Sequence, residues 1–155
     1  MPSRDFEVRR RRLLHGVAAS LGSFNLPGLL HAAERGVGAS EVLIGQSVAL
    51  QGGKSLYAAE VMAGVATQFD AVNKAGGVSG RRLVLRTLDD DNTSAKAEAN
   101  ARRLVDEGVF MLFGSVEGGP STAVATVASA QQVPFFGPMA GSPGLRRPHL
   151  PMVFP

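Results

Sequence analysis

Residues Val109–Thr122 read VFMLFGSVEGGPST. Five apolar residues, Val109 to Phe113, stop at Gly114; a turn of small residues follows, then Pro120 and an alanine-rich stretch with helical spacing. That is the pattern of a buried strand, a tight turn and a helix N-terminus. In a parallel α/β sheet such a junction lies at the carboxyl edge of a strand, where ligands collect. The unbonded N–H groups that open the helix favour a carboxylate or a phosphate there. Gly119 and Pro120 suit the cap and first position of this helix, whose apolar face is Val124, Val127 and Ala128.

Working upstream, Thr93 is the expected N-cap of a helix with Ala97, Ala101, Leu104 and Val105 on one face and Gly108 as its stop. Arg81 to Leu88 alternates as a strand, and Asp89, Asp90 and Asp91 close it. Three successive carboxylates point in opposite directions on an extended chain and lack the spacing of a calcium loop, so they read as a solvated strand end beside a helix N-terminus. From Tyr57 to Ala75, the residues Val61, Val65, Phe69 and Val72 share a helical face that ends at Gly76-Gly77. Glu41 to Leu50 opens with Val42, Leu43 and Ile44, a run suited to a strand buried on both sides. The loop Gln51 to Ser55 ends like a phosphate-binding loop, but Val48 stands where the leading glycine belongs. Downstream, Val133 to Gly137 is a short fourth strand, Pro138 to Pro143 a loop, and Arg146 to Pro155 has three prolines and no usable period. The order β-α-β-α-β-α-β with short loops predicts an α/β fold, a doubly wound parallel sheet with helices on both faces.

Charge divides the chain. Residues 1–39 hold six Arg against Asp5, Glu7 and Glu34, whereas from Ser40 onward ten basic residues balance ten acidic ones. The formal +3 therefore belongs to the N-terminal segment, and the rest offers no excess cation to a nucleic-acid backbone. That segment reads as an export signal: Arg9 to Arg12 form the basic region, Leu13 to Leu30 are mostly apolar or small, and Ala32, Ala33 and Ala39 follow. Arg10-Arg11-Arg12-Leu13-Leu14 also fits a twin-arginine pattern, which leaves both export routes open. His15, Asn25 and Pro27 speak against a membrane-spanning helix. Cleavage fits best after Ala39 and next best after Ala32. The expected organisation is an export signal over 1–39, an α/β lobe over 40–145 and a proline-rich tail over 146–155. With no cysteine, neither a disulfide nor a lipid-modified cysteine is available.

Three pieces in this order, AVNKAGGVSGRRLVLRTLDDDN (Ala71 to Asn92), RRLVDEGVFMLFGS (Arg102 to Ser115) and VPFFGPMAGSPGLR (Val133 to Arg146), resemble the periplasmic substrate-binding proteins of branched-chain amino-acid ABC transporters, the Leu/Ile/Val type. The resemblance runs from Val42 to Pro155. It implies a type I periplasmic-binding-protein fold of two lobes closing on an amino acid, with the ligand carboxylate held mainly by the first lobe, and an ABC permease as partner of the full-length relative. Tyr57 matches an aromatic position that lines the pocket. Gly118 stands where leucine-type members place a serine, so only its N–H is offered, with Ser121 and Thr122 as neighbouring hydroxyls. A pocket threonine falls near Ala140 or Gly141, with Ser142 the nearest hydroxyl. Ser115 and Gly119 complete the set of candidate ligand-binding residues. Family members are roughly twice this long, in keeping with two domains of ordinary size, so the expectation is a first lobe from a fragment or a shortened gene.

Three functions remain open to the sequence. The first is a non-enzymatic solute-binding component of an ABC importer that takes an amino acid or related carboxylate, needs no cofactor or metal and works in the periplasm. The second is a small α/β enzyme or nucleotide-binding domain that uses the Gly114 to Thr122 turn, and the third is a ligand-sensing module. Against an enzyme stand the lack of cysteine, the position of His15 and His31 in the leader, and the absence of a nucleophile elbow or zinc motif.

Overall fold

The computed structural model describes residues 34–51 and 54–155. Residues 1–33, most of the expected export signal over 1–39, and the Gly52-Gly53 pair lie outside the described residues. Five strands, β1 (Glu41–Val48), β2 (Arg82–Asp89), β3 (Met111–Phe113), β4 (Phe135–Phe136) and β5 (Val153–Phe154), form one sheet in the order β2-β1-β3-β4-β5. Every pairing is parallel. Three helices connect them: α1 (Ala58–Lys74), α2 (Ser94–Asp106) and α3 (Gly118–Gln131). The chain steps from β1 to β2 on one side and then crosses back to β3 on the other side of β1. The carboxyl ends of β1 and β3 therefore flank the topological switch point, where an open α/β sheet leaves a crevice.

The first four strands and all three helices stand where the hydrophobic periods predict them. Strand β5 was not foreseen, because two residues are too short to show a period. Tertiary pairing makes it: Phe135 N–H donates to Met152 O at 2.7 Å and Gly137 N–H to Phe154 O at 2.9 Å.

Alternation along the strands sorts the residues onto two faces. On one face Leu112, Phe135 and Val153 are buried against Ala97, Ala101, Leu104 and Val105 of α2 and Val124, Val127 and Ala128 of α3. Gly45 lets α2 approach: a Cβ there would lie 3.1 Å from both Leu104 and Val109. On the other face, Val42, Ile44, Leu83, Met111, Phe113 and Phe136 line an open apolar trough of about 430 Å³ beside Phe69 of α1. The Phe69 and Phe113 rings are 6.0 Å apart between centroids. The predicted face of α1 is correspondingly only half-buried; Ala58 is its one fully buried residue.

Edge strand β2 is covered by a side chain. Asn73, near the end of α1, accepts from Leu83 N–H at 2.8 Å and donates to Leu83 O at 2.9 Å, satisfying one residue of an otherwise open edge. Gly77 makes that return, at φ +74°, and a Cβ on it would run into the Arg81 carbonyl.

Candidate ligand site at the carboxyl edge

The helix that follows β3 begins two residues earlier than its sequence suggests: Glu117 is the N-cap and Gly118 the first helical residue, so Pro120 sits third. None of the first N–H groups of a helix has a partner within it, so proline is tolerated throughout the first turn. Ser121 N–H already donates to Glu117 O at 2.9 Å. The N–H groups of Gly118 and Gly119 are thus the ones the helix leaves to be met from outside.

Around them lies a shallow depression of about 500 Å³, lined by Ser94, Gly118, Gly119, Thr122, Ala123, Thr126 and Ser142. Both glycines make room for hydroxyls from other segments of the chain. A Cβ on Gly118 would come within 2.7 Å of Ser142 Oγ, and one on Gly119 within 2.8 Å of Ser94 Oγ. Of the predicted residues, Gly118, Gly119, Thr122 and Ser142 are brought together here. Ser94 was missed, since the first residue of α2 carries no signal beyond that of a helix start.

The other candidates sit differently. Ser115, at φ +113°, and Ser121 are buried, and neither hydroxyl has a partner among the described residues. Ser115 ties the turn to the loop after β4 by accepting Met139 N–H at 3.0 Å. Thr122 Oγ1 donates to Gly118 O at 2.9 Å, so its proton is used within the helix. Ala140 is buried with its carbonyl accepting from Arg146 Nη1 at 3.1 Å, and Gly141 is exposed beside Ser142. Tyr57, the N-cap of α1, is 64% exposed and is not part of the depression's wall.

The aspartate run corrects one reading. Asp89 and Asp91 are half-buried at the strand end, but Asp90 is buried. Its carboxylate accepts from Ser47 Oγ at 3.0 Å and from Asn92 N–H at 2.9 Å. Burial pushes the Asp90 carboxyl above the usual aspartate range, against the pull of those two donors. The Leu50 and Asp91 N–H groups hold Asp89 below it, and Lys54 with Lys96 does the same for Asp91. The period-2 pattern puts Asp90 on the face covered by α2, where Asn100 donates to Ser47 Oγ at 3.2 Å. These groups brace the loop after β1: Lys54 pairs with Asp91, and Asn92 Nδ2 donates to Lys54 O at 2.6 Å. Among the described residues no group of three His, Asp or Glu could hold a metal ion.

The profile of the periplasmic binding protein family matches residues 41–155. The chain belongs to that family. A Leu/Ile/Val-binding protein homolog of Brucella melitensis is 30% identical over 115 residues, which is 74% of this chain and 31% of the relative. Among solved structures, a possible leucine/isoleucine/valine-binding protein from Rhodopirellula baltica superposes with a TM-score of 0.66 at 28% identity, over 71% of this chain and 30% of that one. A substrate-binding periplasmic protein from Ralstonia solanacearum gives 0.66 at 25% identity, over 73% and 32%. The fold is therefore the α/β sheet of these binding proteins, and the chain spans about a third of the length of the relatives it matches. Those relatives are named for binding rather than for catalysis.

Proposed function

We propose that this polypeptide contributes one wall of a solute-binding site for an amino acid or related carboxylate, as part of the periplasmic binding component of an ABC importer. The observation that carries the reading is the meeting of Gly118, Gly119, Ser94 and Ser142 at the carboxyl edge of β3. Two N–H groups that the helix itself does not bond, at the positive end of a fourteen-residue helix and beside two hydroxyls, suit a carboxylate. Family membership and the names of the relatives support the ligand class.

A single wall leaves most of a small ligand in water, whereas small-molecule sites bury most of it. A few solvent-exposed hydrogen bonds, each worth about 0.5 to 1.5 kcal/mol, barely offset the cost of immobilising the ligand. The 155-residue chain should therefore bind leucine, isoleucine or valine with a Kd in the millimolar range, on the order of −4 kcal/mol. Titration followed by amide NMR should shift Gly118 and Gly119, with ATP and NAD leaving both unmoved. Gly119→Asp would place a carboxylate where the ligand's lies and should weaken binding more than about tenfold. Unmoved glycine amides with leucine would refute the site.

Export is part of the same reading. Arg35 Nη2 donates to Val105 O at 2.6 Å and Leu43 N–H to Gly36 O at 2.8 Å, so residues just before Ala39 belong to the folded unit. These bonds favour cleavage after Ala32, the second of the two sites, over Ala39. Mass spectrometry of the periplasmic product should find Ala33 at the N-terminus. An N-terminus at Ser40 would restore the first choice, and an intact Met1 would refute export.

A further inference from the structure

The face of the sheet opposite α2 and α3 is itself divided. Helix α1 stands over its β2 half, and the half from β3 to β5 is open. Across that open half Phe113, Phe136 and Phe154 pair in register on neighbouring strands, so their side chains share one face. Phe113 is half-buried, whereas Phe136 and Phe154 toward the edge are exposed. Among the apolar residues of the trough stand two charged ones of opposite sign, Glu34 and Arg81. Both lie at the amino edge of the sheet, Glu34 ahead of β1 and Arg81 directly ahead of β2. Neither takes part in an ion pair of the described residues.

This combination selects the occupant. An apolar ligand would leave both charges unpaired against apolar surface, and an amphiphile with one charged head would satisfy one and repel the other. A second copy of the chain carries the same two charges. A two-fold axis running along the strands lays amino edge on amino edge and sets α1 of each copy over the open half of the other. Each Glu34 then faces the other copy's Arg81, because an isologous contact is made twice. The outer side of α1 suits the exposed phenylalanines: Ala59, Ala63 and Ala66 recur there at helical spacing, all exposed, and small enough for rings to approach closely. We propose that this face of the sheet is an interface between two copies of the chain, with α1 of each laid on Phe136 and Phe154 of the other and Glu34 paired reciprocally with Arg81. A contiguous exposed apolar patch is the usual mark of such a surface. The trough shares no residue with the depression lined by Ser94, Gly118 and Ser142, so the inference stands apart from the ligand reading.

Sedimentation equilibrium of the 155-residue chain should show a monomer and dimer that exchange and separate on dilution. Glu34→Arg or Arg81→Glu alone sets like charges against each other twice per dimer and should weaken association at least about tenfold. Mixing the two single variants puts opposite charges at both contacts of the mixed pair, so dimer should return on mixing, and also in the double variant. Phe136→Ser should weaken association while circular dichroism of the dilute monomer, in which Phe136 is exposed, stays unchanged. Association through the apolar N-terminal stretch or through unspecific contact would be indifferent to the charge reversals, and that result would overturn the proposal. A chain that stays monomeric at every concentration would overturn it too, and would leave the trough to a different occupant.

Discussion

The two faces of the sheet are finished to different degrees. Beneath α2 and α3, Leu104, Leu112, Phe135, Val127 and Ala128 are each at most 1% exposed. On the opposite face, Phe136 is 54% exposed, and next to Val153, which is buried in the core, Phe154 is 48% exposed. Neighbours in sequence therefore differ sharply in burial, Phe135 at 0% against Phe136 at 54%. What decides it is the crossover: α2 and α3 both return on one side, whereas α1 lies beside β2, with its Phe69 ring 6.0 Å from that of Phe113. The covered face carries the stability of the described unit, and the other face is an apolar surface of the kind that associates.

Substitutions paired across the sheet put that contrast to the test. Phe135→Ala should cost about 3 to 5 kcal/mol in urea unfolding, as a fully buried aromatic does, while Phe136→Ala should stay within about 1 kcal/mol. A comparable loss at Phe136 would mean that the trough is filled. Next in size is Gly45→Ala, which presses a methyl against Leu104 and Val109 at 3.1 Å and should cost about 1 to 3 kcal/mol. Gly64→Ala, on α1 with nothing within 4 Å of its Cβ, should instead stabilise by roughly 0.5 to 1 kcal/mol. If both glycine variants moved stability in the same direction, the contrast between a packed Gly45 and an open Gly64 would be wrong.

The smallest expected effect is the pH dependence of Asp90→Asn. Because burial raises the Asp90 carboxyl, the folded chain holds this proton more tightly than the unfolded chain does. Stability from this group therefore grows as pH falls through its folded pKa and levels off below the unfolded value of about 3.9. Asp89 and Asp91, both lowered, contribute in the opposite sense: their share is present above about 3.9 and is lost as pH falls through their folded values. Removing the Asp90 charge should shift the difference between variant and wild type in the variant's favour as pH rises from 4 to 7. A difference independent of pH would show that Asp90 carries no buried charge.

At the carboxyl edge the legible part and the illegible part lie side by side. The strand, glycine turn and helix of Val109–Thr122 could be read because hydrophobic period and turn chemistry are local. Gly118 and Gly119 followed from the same stretch. The hydroxyls of Ser94, at the start of α2, and Ser142, in the loop after β4, fill the space beside Gly119 and Gly118; they lie 25 and 24 residues away by their numbering, and no local pattern pairs them. Ser55 and Glu117, 62 residues apart, are joined for the same reason only in space. Ser121, named from sequence as a ligand hydroxyl, is buried because the helix turns that residue inward.

Periodicity, glycine stops and the balance of charge after residue 40 were by themselves sufficient to determine an α/β chain with a parallel sheet, its first four strands and the helix opening at which a ligand is to be sought. Those features depend on residues within one turn or one strand of each other. Only the tertiary structure decided that Asp90 is buried, that β5 exists, that one face of the sheet is left open and that Ser55 meets Glu117. Each of these depends on which segments the right-handed crossovers bring together, and that is a property of the whole sheet rather than of any stretch of it.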